Sequence, residues 1–109
     1  MALAHAESGE VVDLRPLEEA LASSKTYAIV KADQFEAVRL VVPAGTAIPR
    51  HKVDGCITLH CLEGEVVLGH EEDLELRAGD WVYLERNVEH SIRGVQDSSL
   101  LLTIVFDNQ

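Results

Sequence analysis

The chain has 109 residues, 47% of them hydrophobic and 26% charged, so a single soluble domain with a modest core is the natural count. Nine basic against 19 acidic residues give a formal net charge of −10, which repels phosphate backbones and anionic lipid and argues against nucleic-acid and membrane partners. One Trp, two Tyr and two Phe are too few for a base-stacking platform. The first ten residues lack a basic leader, His5 and Glu7 interrupt their small apolar stretch, and no apolar run approaches a membrane span. The chain reads as cytoplasmic.

The elements follow in chain order. Residues 1–24 read as an arm. Within it, Val11-Val12-Asp13-Leu14 suggests a short strand, and Pro16 opens one or two helical turns over Leu17 to Ala22. From residue 25 to 109 the pattern is that of strands. They are expected at Thr26 to Lys31, Phe35 to Val42, Ile57 to Leu62, Glu65 to Leu68, Leu74 to Arg77, Trp81 to Leu84, His90 to Arg93 and Ser99 to Phe106. Turns carrying Gly or acidic residues separate them, including Glu63-Gly64, His70-Glu71-Glu72-Asp73 and Ala78-Gly79-Asp80. Many short strands of this kind mean an all-β sandwich or barrel, and periodicity alone does not choose between the two.

Cys56 and Cys61 share one expected strand, which puts their Cα atoms about 16 Å apart. A disulfide needs roughly 4.4–6.8 Å, so two free thiols on opposite strand faces are expected. Trp81 and Tyr83 alternate with Val82 and Leu84, and either pack in the core or line a pocket.

Two stretches favour the barrel. Gly45-Thr46-Ala47-Ile48-Pro49-Arg50-His51-Lys52-Val53-Asp54-Gly55-Cys56-Ile57-Thr58-Leu59-His60-Cys61-Leu62-Glu63-Gly64 resembles the first cupin motif, G-x5-H-x-H-x3-4-E-x6-G. Gly79-Asp80-Trp81-Val82-Tyr83-Leu84-Glu85-Arg86-Asn87-Val88-Glu89-His90 resembles the second, G-x5-P-x-G-x2-H. The resemblance spans roughly residues 35 to 106. It implies a single-domain, jelly-roll-like double-stranded β-helix whose mouth holds a small molecule. It also implies a site of three histidines and one glutamate for a divalent transition metal such as Zn, Ni, Fe or Mn.

The chain departs from that site. His51 and His90 match the first and last histidines, but Val53 and Ile57 stand where the second histidine and the glutamate belong. Glu85 and Asn87 replace the Pro and Gly of the second motif; Asn tolerates a left-handed backbone, so the turn survives. A third ligand would have to be His60, which needs a bulge to turn inward, or Cys61, which shares the face of Ile57. The expected ligand-binding residues are His51, His90, Trp81 and Tyr83, and the candidate metal ligands are His51, His90 and His60, with Cys61 as the alternative.

Three readings follow. The first is a small-molecule binding or sensing module with weak or no metal dependence. The second is a metal-dependent oxygenase or isomerase using His51, His90 and a third ligand. The third is a structural dimer with a closed barrel. Exposed sheet edges and the apolar segments Val11 to Leu14 and Thr26 to Lys31 suggest a two-fold homodimer with part of residues 10 to 42 at its interface.

Overall fold

A computed structural model describes residues 5–106; the first four positions of the expected arm and the last three of the chain lie outside them. Among the described residues nine strands form: β1 (Tyr27–Lys31), β2 (Phe35–Val42), β3 (Ala47–His51), β4 (Gly55–Glu63), β5 (Glu65–Gly69), β6 (Asp73–Arg77), β7 (Trp81–Leu84), β8 (His90–Gly94) and β9 (Ser98–Phe106). They make a five-stranded sheet in the order β1-β2-β9-β4-β7 and a four-stranded sheet in the order β3-β8-β5-β6. All pairings are antiparallel. The all-β barrel expected from the two motifs is what the chain forms.

Strand alternation sorts the side chains. Along β4, Ile57, Leu59 and Cys61 are buried, while Cys56, Thr58 and His60 point the other way. Leu40 and Val42 from β2, Val66 and Leu68 from β5, Ile92 from β8 and Leu100 from β9 complete the space between the sheets. Aliphatic side chains of this size pack at crystal-like density, so truncating a fully buried one such as Leu59 costs about 2–5 kcal/mol.

The outward side of the larger sheet is fixed by register, because directly paired residues share a face. Trp81, His60 and Leu101 form one row across β7, β4 and β9; Tyr83, Thr58 and Thr103 form the next. Cys56 pairs with Val105, which pairs with Phe35 on β2, to make the third. Trp81 and Tyr83 therefore lie outside the barrel, 61% and 50% exposed, and neither packs in the core as expected. The smaller Val82 and Leu84 take the inward positions of β7 instead.

Two other expectations are corrected. Residues Val11 to Leu14 carry no strand. Strand β3 was not anticipated, because Pro49 interrupts it. It survives because it is an edge strand with a register irregularity between Ile48 and His51, where a missing N–H costs no ladder bond. The helical turn after Pro16 is a 3-10 helix, Glu18–Ser23.

The arm docks on its own barrel. The backbone N–H groups of Leu17 and Glu18 each donate to the Glu63 carboxylate at 3.0 Å. Arg39, 1% exposed, donates through Nη2 to the Arg15 carbonyl at 2.8 Å, to Ser99 Oγ at 3.2 Å and to Glu63 at 3.3 Å. The Ser99 hydroxyl also bonds Glu63. Glu18 holds a left-handed φ of 54° at this contact, a strained conformation for a residue with a Cβ. Burial alone would push the Glu63 carboxyl upward. The bonds from Leu17, Ser99 and Glu18, together with the Arg39 charge, outweigh that and hold it below the usual carboxylate range. Gly64 follows at φ 84°, and an added Cβ there would run into the Asp97 carbonyl and Ser98, so this turn demands glycine.

Candidate functional site

The site forms where β3 ends and β8 begins. His51 is the last residue of β3, His90 is the first of β8, and the two are register partners. The bulge within β3 lets a strand containing Pro49 deliver His51 opposite His90. The two imidazole rings lie 4.4 Å apart between centroids, tilted by 55°. His51 opens to solvent, while His90 is 3% exposed. The expectation that these histidines meet at one mouth matches the geometry.

Each ring is tied down the same way. His51 Nδ1 lies 2.9 Å from the Pro49 carbonyl, and His90 Nδ1 lies 3.0 Å from the Val88 carbonyl. A carbonyl oxygen only accepts, so each Nδ1 carries the proton and each neutral ring keeps its lone pair on Nε2. Arg39 Nε is the one buried side-chain N or O atom without a partner among the described residues.

Burial pushes the His90 pKa below the usual imidazole value. The bond to Val88 opposes this shift, and the positive surroundings of His51, His70 and Arg50 reinforce it. His90 is therefore a neutral imidazole near neutral pH, able to accept a hydrogen bond or donate a lone pair. Beside the pair opens a cleft of about 330 Å³ lined by Arg50, His70, Glu71, Val88 and Glu89. Arg50 is steadied there by the His70 carbonyl at 3.3 Å and by Glu89 at 4.0 Å. Across the rim, Arg86 bonds Asp54 at 2.6 Å and 2.9 Å, tying the turn before β8 to the loop before β4. Asn87 in that turn takes φ 63°, the left-handed conformation expected of it.

Neither the replaced motif positions nor the other candidate ligands add a donor to the pair. Val53 packs against the core, and Ile57, 2% exposed, lies within it opposite Leu84. His60 needed a bulge to turn inward; β4 has none there, and His60 stands on the outer face between Trp81 and Leu101. Cys61 does face inward, but it sits four residues along β4 from Ile57, about 13 Å away. Its thiol points to the Glu63 and Gly64 carbonyls, and burial pushes its pKa up, so it resists becoming a thiolate ligand. Both cysteines are free, as their spacing required. Trp81 and Tyr83, expected at the ligand site, belong to the outer face and not to the mouth. No group of three or more His, Cys, Asp and Glu side chains is arranged to hold a metal among the described residues. The site thus offers a metal two imidazole nitrogens and no third protein donor, which does not fit a resident four-ligand centre. Arg50, His70 and Glu89 are the mouth residues that motif reading missed; their positions beside motif histidines and in the acidic turn were the available signal.

Two facing antiparallel sheets, Gly-turn motifs and histidines meeting at one end define a small barrel of the cupin class. The cupin domain family model matches residues 38–106, and the chain belongs to that family. A search of curated proteins gives no match. Among solved structures, a conserved protein of unknown function from Streptococcus pyogenes is similar over 100% of this chain and 97% of its own, with TM-score 0.78 and 16% identity. A cupin superfamily protein from Desulfitobacterium hafniense is similar over 90% of this chain and 100% of its own, with TM-score 0.73 and 18% identity. A DMSP lyase from Ruegeria pomeroyi shares the fold over 76% of this chain and 46% of its own, with TM-score 0.67 and 21% identity. At these identities the likeness is one of fold, here the double-stranded β-helix. No helix among the described residues is long and apolar enough to cross a membrane.

Proposed function

We propose that the protein is a small-molecule binding module whose ligand is held at the mouth by His51 and His90, without a tightly bound metal. The observation that carries this reading is the matched pair of Nδ1–carbonyl bonds on two rings 4.4 Å apart, which leaves Nε2 as the uncommitted nitrogen of each. Val88 gives the adjoining cleft an apolar wall, and Arg50, His70, Glu71 and Glu89 give it polar ones. An apolar pocket with a few fixed polar groups is the general form of a ligand site. The ligand that suits it is a small polar molecule with a donor for the two imidazoles. A binding or sensing role follows from a site with hydrogen-bond acceptors and no assembled acid–base set.

A second reading, a metal-dependent oxygenase or isomerase, draws on the same bonds. Metal-ligating histidines use a carbonyl on the second nitrogen in just this way. The ligand itself would then have to supply the remaining donors. A thermal-shift screen of small polar metabolites, run with and without Zn or Ni, separates the two. The binding-module reading expects stabilising compounds that act without metal and lose their effect in His90→Ala. Compounds that act only when metal is present favour the enzyme. Compounds that stabilise His90→Ala as well as the parent overturn the assignment of the mouth.

A further inference from the structure

Two arginines of the rim are engaged very differently. Arg86 donates to Asp54 Oδ1 through Nε and Nη2, at 2.9 and 2.6 Å. Arg50 reaches the His70 carbonyl at 3.3 Å and Glu89 at 4.0 Å, both at the outer limit of such contacts. A guanidinium has five N–H donors in a fork that fits a carboxylate. Among the described residues, Arg50 commits little of that capacity. Half of its side chain is open, and it borders the cleft of about 330 Å³ beside the histidine pair. Glu71 and Glu89 line the same cleft. Arg50 and His70 also lie near enough to His90 to bear on its charge, so the cleft and the imidazoles share one neighbourhood.

We propose, resting on the binding-module reading of the mouth, that its ligand is an amino-carboxylate: a small zwitterion whose carboxylate is held by Arg50 and whose ammonium is met by Glu71 and Glu89. Charge balance selects this class. A plain carboxylate would gain Arg50 but meet two glutamates in the same cleft. A plain amine would gain the glutamates but meet the guanidinium. A molecule that carries both charges matches each sign with its opposite. The uncommitted imidazole nitrogens favour the same class, since a neutral Nε2 accepts and an ammonium brings three N–H donors. The Glu89 contact with Arg50 is then a placeholder. A bidentate carboxylate bonds a guanidinium more strongly than an exposed ion pair at 4.0 Å, so the ligand displaces Glu89 and frees it for the ammonium. Val88 supplies an apolar wall for the short carbon chain between the two charges.

Amide NMR shifts of the isotope-labelled full chain are followed while glycine, β-alanine or γ-aminobutyrate is added, with propanoate and propylamine as single-charge comparisons. At least one amino-carboxylate is expected to bind with a Kd of about 1 mM or below and to move amides at Arg50, His51, His70, Glu71, Glu89 and His90. Propanoate and propylamine should bind at least about tenfold more weakly. Arg50→Gln should weaken the amino-carboxylate at least about tenfold, whereas Arg77→Gln, at a paired surface arginine of β6, should leave it unchanged. Glu71→Gln with Glu89→Gln should erase the preference over propanoate, a ratio that a merely structural role would not move. Propanoate binding the parent as tightly as every amino-carboxylate overturns the proposal. So does an amino-carboxylate whose binding survives Arg50→Gln. No shift with any amino-carboxylate overturns the class, while screened compounds that depend on His90 would still uphold the mouth. Amino-carboxylate binding that needs Arg50 but is unchanged in His90→Ala upholds the class and removes the imidazoles from the site.

Discussion

The barrel holds two polar clusters at opposite ends of β4, and they are built on opposite plans. At its end, Glu63 accepts bonds from Leu17, Glu18, Ser99 and Arg39, so its carboxylate is satisfied from several sides within the chain. Beside its start, His51 and His90 each commit one nitrogen to a carbonyl two residues back and leave the other open. A carboxylate bonded from so many sides is a clasp: it fixes the arm and has little left for a ligand. A cluster that keeps half its hydrogen-bonding capacity at an opening is suited to hold something else. The contrast supports the proposal of a ligand site at the mouth although the polar contacts are denser at the clasp.

The most forceful way to break the comparison is to open the clasp. Glu63→Ala leaves the buried Arg39 guanidinium without its counter-charge, which costs about 3 kcal/mol or more. Urea denaturation should show that loss, and limited digestion with a glutamate-specific protease should cut faster after Glu18 and Glu19 in the released arm. Ligand stabilisation at the mouth should persist at low temperature. If Glu63→Ala abolishes it, the two clusters are not independent.

The mouth can be sharpened in the other direction by restoring what the family motif would place there. Val53→His with Ile57→Glu should raise affinity for Ni or Zn by about a hundredfold, because two nitrogens gain two further donors. Ile57→Glu also sets a carboxyl in the core, so the apo form of the double variant should melt lower and recover with metal. No gain in affinity would mean that His51 and His90 do not aim where Val53 and Ile57 sit.

How much of this was legible in the sequence depends on what each signal encodes. The spacing of Gly45, His51, Gly79 and His90 matches the two family motifs, and it is that resemblance that implied both the barrel and the His51–His90 meeting. The outward placement of Trp81 and Tyr83 was not legible. Every residue from Trp81 to Leu84 is apolar, so alternation has no polar phase to say which side faces the core. Pro49 hid β3 because an edge strand tolerates what a central strand does not. His60 was correctly readable only as far as β4 stayed regular. The clasp was invisible, since nothing local links Glu63 to Arg39, which lies 24 positions earlier.

Acid distinguishes the clusters by the pH at which each responds. His90 has its folded pKa lowered, so the unfolded chain takes up a proton first. Its contribution is present above the unfolded value of 6.5 and is lost as pH falls through the folded one. Glu63 is also lowered, so its contribution disappears below the ordinary 4.5. Urea midpoints should therefore fall in two stages on acidification. His90→Leu should remove the first stage and Glu63→Gln the second. A single stage unaffected by His90→Leu would contradict the burial assigned to that ring. The smallest effect concerns the thiols. Cys56 should react with a thiol reagent well before Cys61, which is buried and has a raised pKa. Equal rates would mean that the end of β4 beside the clasp opens readily.

The central claim is that the mouth is a two-imidazole ligand site and not a resident metal centre. Metal content of the full chain, purified without a chelating tag and measured alongside Zn and Ni titration by calorimetry, tests it most directly. The account predicts well under one equivalent of metal as purified, with weak binding that disappears in His51→Ala. One equivalent of tightly held metal that is lost in His51→Ala or His90→Ala would contradict it.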